Sequence, residues 1–541
     1  MKAAQLFIRC LEAEDVAYIF GLPGEENLDI LDALSDSAIR FITTRHEQGA
    51  AFMANAYGRF TGKPGVCLST LGPGATNLMT GIADAFLDCS PMVAITGQAE
   101  MLKYHKESHQ YVDIVSAFRP ITKWNVRVEK GATIPEIVRK AFRLSSIEKS
   151  GPTHIELPED VAAEDVDGTP IMPLPIHYPQ PEQMHIDEAV KAIKDAACPM
   201  VLAGNGVIRC GASQALRTFV SRLKICAATS FMGMGAVAAD SEFFLSTVGL
   251  QARDYISCGF EKADLIIAVG YDPVEFSPKY WNPNKDKRII HIGSIPAEVD
   301  AHYQAIELIG EINTTLRLLT DAIDFGKDPS FYFRLKKAMK TGLNGQISGF
   351  PLKPMRIVDE LRAALGRNDI LISDVGAHKI WIARFFPAYE PNTVVISNGF
   401  SAMGIALPAA ITAKMLYRQK KVVAAMGDGG FLMALPELET AVRLGLPIVC
   451  LIFNDCGYGL ISWRQRLIFG REFGTSFGNP DFVKLADSFG AKGYRVTSED
   501  ELGPILKDAL TKDVPVLIDC PVDYSENIRL TEELGRIICP A

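Results

Sequence analysis

Several common signals are missing from this 541-residue sequence. Its eleven cysteines contain no C-x-x-C pair. Their spacing supports neither a zinc site nor a disulfide framework, so reduced thiols in a cytoplasmic protein are expected. There is no block of basic residues. With 55 Lys and Arg against 64 Asp and Glu the net charge is −9, which excludes a surface built for nucleic acid or an anionic membrane. The opening stretch, MKAAQLFIRCLEAEDV, has neither a long apolar core nor a small-residue cleavage site, and it reads as an amphipathic helix rather than a signal peptide. Gly204-Asn205-Gly206 follows an apolar run but lacks the full G-x-G-x-x-G spacing of a nicotinamide site. None of the nine histidines stands next to another, and neither an exact repeat nor a low-complexity tract is present.

What is present is a globular composition, 48% hydrophobic and 22% charged, which excludes disorder, collagen and small disulfide scaffolds. At about 150 residues per domain the length suggests three or four domains. Short apolar runs alternate with helical patterns: GVCLSTL, PMVAITG, PMVLAGNG, DLIIAVG, RIIHIG, ILISDVG, KVVAAMG, PIVCLIF and VPVLIDC. Such runs without strict alternation are covered on both faces, which predicts parallel sheets in an α/β architecture. Two segments read as linkers: a proline-rich stretch between Asp165 and Gln183, and a Gly/Pro-rich break between Gly326 and Pro354 around a short basic helix. They divide the chain into 1–165, 185–325 and 355–541. Pro64–Ala83 and Pro391–Ala413 carry no charge for the length of a membrane helix, yet both are interrupted by Gly, Pro, Ser, Thr and Asn. They predict backbone buried inside the protein, close to a ligand.

The segment Lys421–Gly459 reads as strand, glycine turn, helix, strand, turn. Gly427-Asp428-Gly429-Gly430 ends the first strand and Asn454-Asp455-Cys456-Gly457 the second, with 27 residues from Asp428 to Asp455. In a βαβ unit both turns fall at the carboxyl edge of the sheet, where open α/β sheets bind ligands. Glycines let the backbone approach a phosphate, and the helix after Gly430 offers unpaired N–H groups to an anion. Asp428, Asp455 and the Gly457 carbonyl form an oxygen donor set that suits Mg²⁺. In the first third, Glu47 stands where a strand (IRFITT) meets a helix of small residues (AAFMANAYG). A helix-start Glu is also favoured by the macrodipole alone.

Together these segments resemble the thiamine-diphosphate enzymes, whose motif is G-D-G, a helix, then an Asn/Asp pair after the next strand. The resemblance implies that Asp428, Asp455 and the Gly457 carbonyl are metal ligands, and that Gly427, Gly429, Gly430 and Tyr458 lie against the cofactor. Arg45-His46-Glu47 and the following small residues resemble the family's R-H-E-x-x-A-x-x-M-A stretch. Its Glu hydrogen-bonds the aminopyrimidine ring and promotes the imino tautomer that removes the thiazolium C2 proton. Thr70–Asn77 matches the S/T-x-G-P-G-x-x-N turn, which makes Gly72, Pro73 and Asn77 cofactor contacts. Ser397–Gly404 matches the stretch whose Met props the cofactor in its V shape. Met403 would be that prop, or simply core, and the Ser401 carbonyl would face the pyrimidine amino group. His378, in Asp374-Val375-Gly376-Ala377-His378, matches a diphosphate contact.

The resemblance runs along essentially the whole chain and is closest to acetolactate synthases, especially the catabolic, FAD-independent kind. His109-Gln110 with Lys123 resembles that kind's H-Q…T-K pattern, which makes Gln110, His109 and Lys123 candidates for orienting substrate. Lys123 as a structural ion-pair partner is an equal alternative. Val269–Glu275 and Pro521–Asn527 also look catabolic. The R-F-D-D-R stretch of the flavin-containing enzymes is absent, and Arg464 stands where those enzymes have a Trp that selects 2-ketobutyrate. The implied fold is three α/β domains, each a mainly parallel sheet flanked by helices, with a Rossmann-like middle domain. The implied activity is decarboxylation of pyruvate on thiamine diphosphate with Mg²⁺ and condensation with a second pyruvate to 2-acetolactate, without FAD. A homodimer or homotetramer with sites at subunit interfaces is implied as well. A flavin-containing synthase, a pyruvate oxidase, or a decarboxylase of another 2-keto acid are the alternatives.

Overall fold

The computed structural model describes residues 1–249, 254–342, 348–530 and 539. Eighteen strands form three six-stranded sheets, and every pairing within them is parallel. The first sheet holds β1 (Tyr18–Gly21), β2 (Arg40–Thr43), β3 (Gly65–Ser69), β4 (Met92–Gln98), β5 (Trp124–Arg127) and β6 (Pro152–Pro158), in the order β2-β1-β3-β4-β6-β5. The second holds β7 (Pro199–Ala203), β8 (Ala227–Ser230), β9 (Phe244–Val248), β10 (Leu265–Val269), β11 (Arg288–Gly293) and β12 (Ile306–Ile309), in the order β12-β11-β10-β7-β8-β9. This is the doubly wound dinucleotide-binding order, with its switch point between β7 and β10. The third holds β13 (Ile370–Ser373), β14 (Val394–Ile396), β15 (Val422–Gly427), β16 (Val449–Asn454), β17 (Lys492–Arg495) and β18 (Val516–Pro521), in the order β14-β13-β15-β16-β18-β17.

All nine apolar runs singled out in the sequence are strands, and the central ones are fully buried, as helices on both faces require. The first and third sheets share one strand order, a repeat of architecture that no sequence repeat announces. They pack through equivalent helices, Glu47–Thr61 after β2 and Ala406–Leu416 after β14. The facing residues are small and buried (Ala50, Ala51 and Ala54 against Ala406, Ala409, Ala410 and Ala413) and belong to one shared core. Thr412 Oγ1 donates to the Met53 carbonyl across the seam at 3.2 Å. A larger side chain here would force the helices apart.

Residues 166–182 of the first linker have no regular structure, and a helix over Ser330–Gly342 stands in the second; Gly345 of that linker lies outside the described residues. Among the described residues no helix is long and apolar enough to cross a membrane. The uncharged stretches are instead β3 with helix Pro73–Leu87, and β14 with helix Ala406–Leu416. The cysteine expectation needs one correction. Nine cysteines are free, but Cys258 is joined to Cys539 in a disulfide across 281 residues. Cys539 therefore lies against the middle domain, a proximity that local spacing cannot show.

Candidate active site

The carboxyl edge of the third sheet gathers most of the predicted residues. β15 and β16 are neighbours, with Gly427 paired to Phe453, so the turns that follow them lie side by side. Asp428 opens helix Asp428–Ala434 and is buried. Its Oδ1 accepts the Gly429 N–H at 2.8 Å and its Oδ2 accepts the Asn479 amide at 2.8 Å. Asp455 follows β16, and burial together with neighbouring Asp428 pushes its carboxyl up to about 7. Segment 475–479 straps this turn in place: Tyr458 N–H donates to the Thr475 carbonyl at 2.8 Å and Phe477 N–H to that of Cys456 at 3.0 Å. The glycines are required by what surrounds them. A methyl added at Gly429 would lie 2.9 Å from the Tyr458 ring, and one at Gly430 would lie 3.0 Å from Asp374 Oδ2.

The Ser401–Met403 loop reaches the same edge. Gly404, with φ +89°, packs against Gly430, Met433 and Ala434, and its N–H donates to the Asp374 carboxylate at 2.9 Å. Ser401 also has positive φ, 58°, and its hydroxyl accepts from Lys379 Nζ at 3.2 Å. His378 is buried beside Gly427 and stacked on Phe453, and desolvation pushes its imidazole down to about 3, so it is neutral at pH 7. A cleft of about 600 Å³ opens in front of Asp455, Gly457 and Tyr458, with Trp463, Arg466 and Tyr524 among its walls.

A second cluster lies at the carboxyl edge of the first sheet. Glu47 starts the helix after β2 and is buried; its Oε2 accepts the Asn77 amide at 3.0 Å. Gly72, with φ +51°, turns the chain into helix Pro73–Leu87, and a methyl there would meet the Gln110 carbonyl at 2.5 Å. His109 and Gln110 are therefore next to this turn, both exposed. Lys123 is not. It precedes β5, at the opposite, amino edge of the parallel sheet, and its Nζ donates to the Ile147 carbonyl at 2.5 Å. Burial pushes it down to about 8. This placement speaks against Lys123 as a substrate-orienting group and for the structural alternative, though through a backbone carbonyl rather than the ion pair expected. Among the described residues, no hydrogen bond or ion pair joins the Glu47 cluster to the Asp428 cluster.

The third-sheet cluster fits a divalent cation and an anion. A buried carboxyl, Asp428, and a half-buried one, Asp455, raise each other's charging cost, and a cation held with a carbonyl oxygen relieves both. His378 Nε2 is buried and has no hydrogen-bond partner among the described residues, so a polar group is wanted there. The middle sheet differs. At its switch point Gly206 N–H donates to the Gly270 carbonyl at 2.8 Å, and the Glu275 carboxylate accepts the Asn205 N–H at 3.0 Å, so these backbone donors are taken by the chain's own acceptors.

Three family models match the chain: "Thiamine pyrophosphate enzyme, N-terminal TPP binding domain" over residues 1–117, "central domain" over 186–319, and "C-terminal TPP binding domain" over 374–520. The acetolactate synthase of Bacillus subtilis is 39% identical, covering 98% of this chain and 95% of its own length. The chain belongs to the acetolactate synthase family of thiamine pyrophosphate enzymes. A catabolic acetolactate synthase of Raoultella terrigena is 36% identical over 98% of this chain and 97% of its own. A probable acetolactate synthase large subunit of Methanocaldococcus jannaschii is 37% identical over 99% and 94%.

Some residues that shape the site here were not singled out in the sequence. Asp374 pins Gly404 and Asn479 holds Asp428; Asp374 stands in the stretch quoted for His378, and Asn479 in no motif. Glu437 accepts backbone N–H groups from Arg45 at 3.1 Å and His46 at 3.0 Å, so the third domain fixes the turn that carries Glu47. Glu437 had one faint signal: it lies on the crossover that follows the G-D-G turn.

Proposed function

We propose that this chain is an acetolactate synthase acting on pyruvate. One pyruvate loses CO₂ and its remaining two-carbon unit is joined to the keto carbon of a second, giving 2-acetolactate. The observation that carries the reading is the similarity to acetolactate synthases along nearly the full chain, with the Asp428–Asp455 carboxyl pair at the glycine turn. When bound, thiamine diphosphate supplies the electron sink that decarboxylation of a 2-keto acid needs.

In this proposal Asp428, Asp455 and the Gly457 carbonyl hold Mg²⁺. Gly427, Gly429, Gly430, Tyr458 and His378 line the diphosphate's side of the site, and neutral His378 can hydrogen-bond there without adding charge. The Ser401 carbonyl and Met403 support the cofactor's rings, and Gly72, Pro73 and Asn77 close the pyrimidine end. Glu47 is the acid that holds a proton at the pyrimidine nitrogen; Asn77, donating to its Oε2, leaves Oε1 available. His109 and Gln110 are placed to orient the 2-keto acid. Exclusion of water from the paired site would favour loss of charge from the substrate carboxylate.

The two clusters complete one site when two copies pair, so we infer a homodimer at least, with a homotetramer as its extension. Exposed apolar side chains support this. Helix Gly459–Phe469 buries no residue, and Ile468, Phe469 and Phe473 are each more than two-thirds exposed beside the cleft. We take the domains as 1–165, 185–325 and 355–541. The nine free cysteines support a cytoplasmic setting. The Asn205 and Gly206 N–H groups at the middle sheet's switch point, taken by Glu275 and the Gly270 carbonyl, support a flavin-free enzyme. The test is a pyruvate assay with thiamine diphosphate and Mg²⁺, detecting acetoin after acid treatment. Turnover of a different 2-keto acid, with none of pyruvate, would refute the substrate. A stoichiometric flavin absorbance band in the purified protein would favour the flavin-containing alternative.

A further inference from the structure

The Ser397–Gly404 loop is held by another domain. Helix Pro73–Leu87, of the first domain, carries Asp84, and Asp88 follows as its C-cap residue four positions on. Both are fully buried. Asp84 Oδ1 accepts the Ser397 hydroxyl at 2.7 Å and the Ala402 N–H at 3.3 Å. Asp88 Oδ1 accepts the Gly399 N–H at 2.7 Å and the Asn398 N–H at 3.3 Å. The approach is close enough that a methyl at Gly399 would lie 2.6 Å from the Leu87 carbonyl. Two buried cations complete the cluster. Arg59 Nη1 lies 3.6 Å from Asp88 Oδ2 and donates to the Ile396 carbonyl at 2.7 Å. Lys379 Nζ donates to the Ser397 carbonyl and to Ser401 Oγ.

Two carboxyls and two basic side chains taken out of water are a poor source of stability, because desolvation offsets their attraction. What they fix is geometry: every polar group of residues 396–402 named above is tied to a helix or cation that cannot follow a local shift. The same helix begins at Gly72 and Pro73, and its Asn77 bonds Glu47. At 1.5 Å per residue its 15 residues form a strut of about 22 Å between the two ends.

We propose that Asp84 and Asp88 are positioning residues for thiamine diphosphate, setting the height of Ser401 and Met403 through the loop they clasp. The inference rests on the proposed reading of Ser401 and Met403 as cofactor contacts. An Asn at 84 cannot satisfy both sides of the carboxylate. If its oxygen faces the loop, its amide opposes the Asn55 amide, which donates to Asp84 Oδ2 at 2.9 Å; if reversed, it opposes the loop. An Asn at 88 loses the Arg59 pair.

The experiment titrates the Mg²⁺-containing full-length apoenzyme with thiamine diphosphate by calorimetry, alongside pyruvate kinetics. Asp84→Asn and Asp88→Asn should each raise the cofactor Kd at least tenfold, with the pyruvate KM within twofold. Ser397→Ala removes one donor, keeps both carboxylates, and should raise Kd about threefold, so a folding failure of the Asp variants leaves the proposal testable. Glu14→Gln, a carboxyl paired with Arg139 far from the loop, should leave Kd unchanged. Folded variants that bind as wild type does overturn the positioning role while the proposed function stands. A wild-type chain that does not bind thiamine diphosphate overturns both.

Discussion

Gly49→Ala should destabilise this protein although it is a glycine-to-alanine change inside a helix. In an ordinary helix the substitution gains about 0.5–1 kcal/mol. Here the new methyl would sit 2.3 Å from Glu437 Oε1 and 2.7 Å from its Cδ, so the carboxylate must leave. It currently accepts from Arg45 N–H at 3.1 Å, His46 N–H at 3.0 Å and Thr440 Oγ1 at 2.7 Å. Bonds to a charged acceptor contribute about 1.5–3 kcal/mol each, so losing the two backbone bonds costs about 3–6 kcal/mol. The helix gain offsets only a part, leaving a net loss of about 2–5 kcal/mol. The freed turn carries Glu47, and a misplacement near 1 Å at such a group lowers rates about a hundredfold. Gly62→Ala is the control. Its φ is +70° and nothing lies within 4 Å of the added methyl, so it costs about 1–2 kcal/mol of backbone strain and leaves kcat alone. Urea unfolding and pyruvate kinetics on both variants decide the matter. Gly49→Ala at wild-type stability with unchanged kcat would refute the reasoning.

Three further outcomes are expected. Glu47→Gln should abolish acetolactate formation while leaving the far-ultraviolet circular dichroism and unfolding midpoint close to wild type; substantial turnover would refute its role. Lys123→Met should leave kcat and pyruvate KM within twofold, because the lysine sits at the amino edge on the Ile147 carbonyl; a tenfold rise in KM would return it to the substrate. Asp374 is pushed from 3.8 to about 7 by burial. Such a carboxyl contributes stability that is complete below pH 3.8 and lost as pH rises through 7, with a slope of at most about 1.4 kcal/mol per pH unit. Asp374→Asn should remove that slope, so the unfolding free energy of variant relative to wild type moves by about 2–3 kcal/mol in the variant's favour between pH 5 and 7.5. A pH-independent difference would show that Asp374 is not the titrating group.

The architecture was legible because buried parallel strands leave uninterrupted apolar runs, and KVVAAMG and PIVCLIF end in the turns that carry Asp428 and Asp455. The metal turn was legible because its chemistry is local: glycines and carboxylates stand in order along one βαβ unit. What was not legible is whatever depends on a contact between distant segments. Asp84, Asp88, Asp374 and Glu437 look like surface acids in the sequence, since nothing local distinguishes a solvated carboxylate from one that holds another domain's backbone. Lys123 erred in the other direction. Its spacing from Gln110 matches a pattern, but a parallel sheet puts the start of β5 at the edge opposite the end of β4. Cys258 and Cys539 were invisible for the same reason as the acids.

The shared strand order of the first and third sheets gives these hidden acids a common logic. In the first sheet the helix after β3 carries Asp84 and Asp88, which hold the loop after β14. In the third sheet the helical segment after β15 carries Glu437, which holds the loop after β2. β3 and β15 occupy the same place in their sheets, as do β2 and β14. Each domain therefore clasps, with carboxylates from its equivalent helix, the equivalent loop of the other. The residue types and spacings differ, so no sequence repeat results; only the donor–acceptor geometry is repeated. One loop carries Glu47 and the other Ser401 and Met403, so a single chain fixes both parts rigidly relative to each other. Among the described residues no hydrogen bond or ion pair joins the Glu47 cluster to the Asp428 cluster. In the proposed homodimer each site would take one cluster from each copy, and the clasps would then link the halves of the two sites.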